Sequence, residues 1–150
     1  MFCLAAVTSV LVPNASAPDQ SRWSREQWKR WLESEHQRVQ KDSERLVELA
    51  HQLGAEAKQR TGNPVLAAWL DRIRDLETRA VGLQESVAKI DENFLSVAVV
   101  QEARAIELEV HELRETWQES PESKRLKPMC HLAREMEKKA DAIADRMRMP

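Results

Sequence analysis

The chain has 150 residues, with 23 Lys and Arg against 25 Asp and Glu, a net charge of −2, and the two signs intermixed. No basic stripe able to displace counterions from nucleic acid is present, so a nucleic-acid partner is not expected. Three glycines, no Tyr and two Phe, with no run of β-branched residues alternating with polar ones, argue against a sheet and predict long helices around one core.

Residues 2–12, FCLAAVTSVLV, are apolar apart from Thr8 and Ser9. That length fits the apolar region of a secretory signal and is too short to span a bilayer as a helix. Pro13 breaks the run, and Ala15-Ser16-Ala17 supplies the small-x-small pattern of a cleavage site. Residues 1–17 are therefore read as a signal peptide and 21–150 as a single helical domain, which places the protein in the periplasm or outside the cell. Two features depart from the usual signal: no Lys or Arg precedes the apolar run, and Pro18 follows the cleavage point. The alternative is an intracellular coiled-coil adaptor whose N-terminal segment packs into its core.

Ser24 and Gln27 have the spacing of a capping box, so a first helix is predicted from there to about Arg60, where Thr61-Gly62-Asn63-Pro64 stops it. Leu32, Val39, Leu46 and Leu53 repeat every seven residues. Glu35 and Asp42 are assigned to the intervening stripe positions, which makes the dry stripe continuous only from Leu46 onward. Gly54 is a candidate kink. Asn63 as cap and Pro64 at the first helical position open a second helix, with Leu66, Trp69, Ile73, Leu76, Ala80, Leu83, Val87 and Ile90 on one side.

The stripe then slips by one residue, and Asp91-Glu92-Asn93 and Ser96 offer capping chemistry at the slip. A third helix is predicted over residues 96–119, although one bent helix is an alternative reading. Its stripe, Val99, Ala103, Ile106, Val110, Leu113 and Trp117, steps by four and three residues in turn, the narrow seam of a helix packed among helices. Pro128 opens a fourth helix carrying Met129, Ala133, Met136, Ala140, Ile143 and Met147. The expected fold is all-α: an antiparallel three- or four-helix bundle with coiled-coil-like seams. Residues 97–119 hold six acids and two bases, and residues 124–148 hold eight bases and four acids. That contrast predicts that the acidic third helix pairs with the basic fourth.

Most site chemistry is discounted. Glu33-x-x-His36 and Glu48-x-x-His51 are the element of di-iron bundles, which draw such pairs from different helices. Here both fall on one helix, about 22 Å apart at 1.5 Å per residue. His111-Glu112-Leu113-Arg114-Glu115 lacks the second His of a zinc-protease helix, Cys130-His131 lacks the upstream Cys of a haem attachment, and no Gly-rich phosphate loop exists. No catalytic residue, cofactor or metal is expected, and a metal-binding bundle is kept only as an alternative. With Cys3 inside the presumed signal, Cys130 is an odd thiol. It is either a small apolar core residue or the link of a disulfide homodimer in an oxidising compartment.

One constellation stands apart. Arg22-Trp23, Arg25 and Trp28-Lys29-Arg30-Trp31 interleave four bases with three of the five tryptophans, a mixture typical of protein interfaces and of membrane headgroup layers. A first helix of about 37 residues would reach roughly 55 Å against about 30–40 Å for the others, so its N-terminal turns are expected to overhang the bundle. The candidate contact residues are Trp23, Trp28, Trp31, Arg22, Arg25, Lys29 and Arg30, facing a protein partner or a membrane surface. The competing reading packs Trp28 and Trp31 against residues 83–90 of the second helix.

KDSERLVELAHQLGAEAKQ (41–59) and LSVAVVQEARAIELEVHELRE (95–115) resemble segments of small exported helical bacterial proteins of unknown function. Those carry a Lys-Asp…Leu-x-Glu-Leu-Ala helix followed by a Leu-Ser…Ala-x-x-Ile-Glu helix. The resemblance covers about a third of the chain and implies an envelope location and no activity. The expected function is that of a non-enzymatic exported helical protein with a binding, scaffold or envelope-stress role.

Overall fold

Four helices that each carry one apolar stripe can dry all four only by turning the stripes toward a shared axis. The computed structural model describes residues 22–60, 64–90 and 96–147, with backbone alone for 64–66. Its helices are α1 (Arg25–Lys58), α2 (Pro64–Ala88), α3 (Val97–Glu119) and α4 (Lys127–Met147). Helix α1 begins at the expected capping box: Ser24 Oγ accepts from the Gln27 amide (3.2 Å), and Gln27 Oε1 accepts from the Ser24 amide (2.8 Å). Ser96 caps α3 in the same way, accepting from the Val99 amide at 3.2 Å.

Cross-helix partners fix the topology. His51 meets Glu77 and His36 meets the Val87 carbonyl, so α2 descends as α1 rises. Arg72 on α2 donates to Glu109 on α3, Arg104 on α3 donates to Asp141 and Asp145 on α4, and Arg146 and Lys139 on α4 donate to Glu35 and Asp42 on α1. Each helix is antiparallel to the next, and α4 closes the ring against α1. The α3–α4 interface is the most extensive and the α2–α3 interface the slightest. Because α2 and α3 run in opposite directions, the bent-helix alternative is excluded, and the described residues form a bundle of four helices.

All six stripe residues of α3, from Val99 to Trp117, are buried, as are Ile73, Leu76, Ala80, Leu83 and Val87 of α2 and the six stripe residues of α4. Two expectations for α1 are corrected. Its stripe does not pass through Asp42 but through the neighbouring Ser43, which is 1% exposed. The Ser43 hydroxyl is satisfied inside the helix by donating to the Gln40 carbonyl at 2.7 Å, so a polar residue sits in the core without an orphaned group. The stripe is therefore continuous from the fully buried Val39, while Asp42 and Glu35 stand at its border and accept from α4.

Helix α1 runs through Gly54 without a break; a side chain there would run into the Glu77 carboxylate, so the glycine makes room for a neighbour.

The predicted signal peptide, the stop at Thr61-Gly62-Asn63, the Leu66 side chain and the caps at Asp91-Glu92-Asn93 lie outside the described residues. Among those described, no helix is long and apolar enough to cross a membrane.

The charge pairing between α3 and α4 is also corrected. The helices are neighbours, but the ion pairs run with the opposite polarity. The few bases of the acidic α3 (Arg104 and Arg114, with His111) meet the acids of the basic α4 (Asp141, Asp145 and Glu137). The acids Glu109 and Glu112 of α3 turn instead to Arg72 of α2, and Lys139 and Arg146 of α4 turn to α1.

Candidate interaction site

Among the described residues, the side-chain links of α1 to its neighbours that lie nearest its N-terminus are His36 Nε2 with the Val87 carbonyl (3.2 Å) and Glu35 accepting from Arg146 (2.8 Å). Leu32 is the first α1 side chain that packs against the core. Residues 25–31 extend about 10 Å beyond it toward the N-terminus, at 1.5 Å per residue. Relative to the described ends of the other helices, this is the overhang that the unequal helix lengths predict.

On that overhang the three tryptophans find one another. Trp28 and Trp31 are one turn apart on the same face, with ring centroids 5.8 Å apart and planes at 87°. Trp23 precedes the cap, and the extended backbone of Ser24 leads it back over the helix. Its ring lies 5.5 Å from Trp28 and 6.0 Å from Trp31, again edge to face. Every pair in the triad has the geometry that sets a ring's positive edge against its neighbour's negative face. All three rings are half-buried and meet one another, and among the described residues none of them packs on the buried core.

Arg22, Arg25, Lys29 and Arg30 are all exposed, and none of them forms an ion pair with a described residue. Farther along the bundle, Arg72, Arg104, Arg114 and Arg146 each meet a carboxylate on another helix. The N-terminal tip thus gathers all seven residues singled out in the sequence: an apolar aromatic cluster ringed by exposed cations that pair with no described carboxylate.

No protein-family model, curated protein or solved structure matches this chain.

The other polar concentration is internal. Glu137 of α4 accepts from both Arg114 and His111 of α3, and His111 Nε2 also meets Glu115 at 3.0 Å. Burial alone would push the Glu137 carboxyl up, but the hydrogen bonds from Arg114 and His111 outweigh it and hold the group below the ordinary carboxylate range. This cluster was not anticipated; the only signal for it was a histidine three residues before an arginine on the flank of a stripe.

Among the described residues no three His, Cys, Asp or Glu side chains are placed to hold a metal ion. His36 and His51 are instead engaged with α2. Cys130 is buried at 9% exposure, and burial pushes its thiol up, only partly offset by Arg114 and Arg134. That setting suits the apolar packing role better than an intermolecular disulfide.

Proposed function

We propose that this protein is a non-enzymatic, exported helical protein that acts as a binding or scaffold component of the cell envelope, with the tryptophan end of α1 as its contact end. The observation that carries this reading is the triad itself. Three indoles gathered beyond the core, amid four exposed cations that meet no carboxylate among the described residues, contribute little to holding the bundle together. Trp and Arg are the residues on which interfaces concentrate their binding energy. The export part rests on the pattern of residues 1–17, and the resemblance of residues 41–59 and 95–115 to exported helical proteins supports it. The bundle leaves the intracellular adaptor as the alternative.

Two measurements test this. N-terminal sequencing of the protein recovered from its native cell should begin at Pro18 in the exported fraction; an intact N-terminus in the cytosol favours the adaptor. Cross-linking and affinity capture from the native envelope should recover a binding component with the wild type and lose it with W23A/W28A/W31A. Equal recovery by both overturns the contact reading.

A further inference from the structure

We propose that the surface met by this tip is the headgroup layer of an anionic lipid bilayer, engaged end-on by the first turns of α1. The proposal rests on the tryptophan end being the contact end, and adds what it contacts.

The arrangement of the cations favours a lipid surface over a protein groove. Arg25 and Lys29 are four residues apart and share one side of the helix. Arg30 is turned from them by roughly 100–140°, at 3.6 residues per turn, and Arg22 precedes the helix altogether. A protein groove would be met by charge on one flank. Charge distributed around a projecting helix end can all reach a headgroup layer into which that end dips.

Between them sit the indoles, side chains with an apolar body and one N–H donor, which settle at the boundary between headgroups and acyl chains. Three of them in mutual contact form an apolar wedge that would otherwise stay in water.

The long-range field points the same way. Residues 22–34 hold four bases and the two acids Glu26 and Glu33, a surplus of two positive charges, in a chain whose net charge is −2. The positive end of the α1 macrodipole lies at the same tip. A negatively charged bilayer therefore attracts this end and repels the remainder, which orients the bundle upright on the surface. Since no described helix can span a bilayer, the contact is peripheral.

The test uses the full chain with vesicles of phosphatidylcholine alone or mixed with phosphatidylglycerol, read by co-sedimentation and by quenching of tryptophan emission with brominated acyl chains. Residues 1–17 are retained in every variant, so any affinity of the apolar run is common to all. The wild type should bind the phosphatidylglycerol vesicles more tightly, and added salt should weaken that binding. Each cation exchanged for glutamine should reduce partitioning roughly fivefold, and R22Q/R25Q/K29Q/R30Q should remove the preference for anionic lipid. W23A/W28A/W31A should bind the vesicles less than the wild type and lose the quenching, because the two remaining tryptophans, Trp117 enclosed in the bundle and Trp69 packed against it, lie toward the opposite end. Equal partitioning of the wild type and the four-glutamine variant overturns the lipid proposal. So does absence of vesicle binding by a wild type whose envelope capture still depends on the tryptophans, which points to an acidic protein partner and leaves the contact end standing. Insensitivity of both assays to the tryptophans overturns both readings.

Discussion

Arg114 of α3 and Glu137 of α4 are joined by two hydrogen bonds, Nε to Oε2 and Nη2 to Oε1, across the most extensive interface of the bundle. Their side chains are only 16% and 15% exposed. A two-pronged pair in that setting is held in register by geometry and screened little by solvent. It distinguishes itself from the exposed pairs elsewhere on the surface, such as Arg74–Asp71, which contribute about 0–1 kcal/mol at most.

A double-mutant cycle on this pair checks that distinction. Arg114→Ala and Glu137→Ala should each cost about 1–3 kcal/mol in urea unfolding, since each leaves a half-buried charged partner without its hydrogen bonds. The coupling between them should be about 1–2 kcal/mol. The same cycle on Arg74 and Asp71 should give coupling within about 0.5 kcal/mol of zero.

The depressed Glu137 carboxyl makes part of this stability depend on pH. The group titrates below its ordinary value of 4.5 when folded, so the stabilisation is fully present above that value and is lost as pH falls through the folded value. The urea midpoint of the wild type should exceed that of Glu137→Gln at neutral pH. The gap should hold down to about pH 5 and close below 4.5. A gap that widens on acidification would show that Glu137 is not held ionised by Arg114 and His111.

Cys130 offers a probe of the core. Its burial and raised thiol pKa predict slow alkylation by iodoacetamide in the native protein. In a Cys3→Ser background the reaction at Cys130 should accelerate at least about tenfold on adding denaturing urea. Air oxidation of the folded protein should give little Cys130-linked dimer. Prompt native alkylation would place the thiol at the surface.

The two described glycines should respond differently to the same change. A side chain at Gly82 meets open space, so Gly82→Ala should raise stability by about 0.5–1 kcal/mol through helix propensity alone. At Gly54 the new methyl must displace Glu77 from His51, its partner at 3.0 Å. That loss offsets the gain, and the thermal midpoint of Gly54→Ala should stay near the wild type.

The tryptophans should separate into two classes. Trp117 is fully buried and lies edge-on to Trp69 at 5.8 Å, so Trp117→Ala should cost about 3–5 kcal/mol. Trp23→Ala should cost about 1 kcal/mol or less, because an overhanging turn can loosen without opening the bundle. Thermal melts of the two variants compare them directly.

The amphipathic stripes and the serine caps of α1 and α3 are local properties, set by the 3.6-residue period and by one side chain reaching a backbone amide three residues on. They were legible without any partner, and so was the surplus length that lifts Trp28 and Trp31 past the core. Where a local choice was nearly balanced it went astray: from Val39 the next stripe position is three or four residues on, and only packing shows that Ser43 turns inward and Asp42 outward to Lys139.

The ion pairs lay further out of reach. Counting charges treats a helix as a uniform rod, yet each helix of a closed ring has two flanks with different neighbours. Arg104, His111 and Arg114 lie on the α3 flank toward α4, whereas Glu109 and Glu112 lie toward α2. Which flank meets which helix depends on the handedness and order of the ring, and those emerge only when all four stripes are buried together. The meeting of Trp23 with Trp28 and Trp31 is of the same kind. Their proximity in the chain marks a composition, but the backbone path through Ser24 brings three rings into one cluster at the tip.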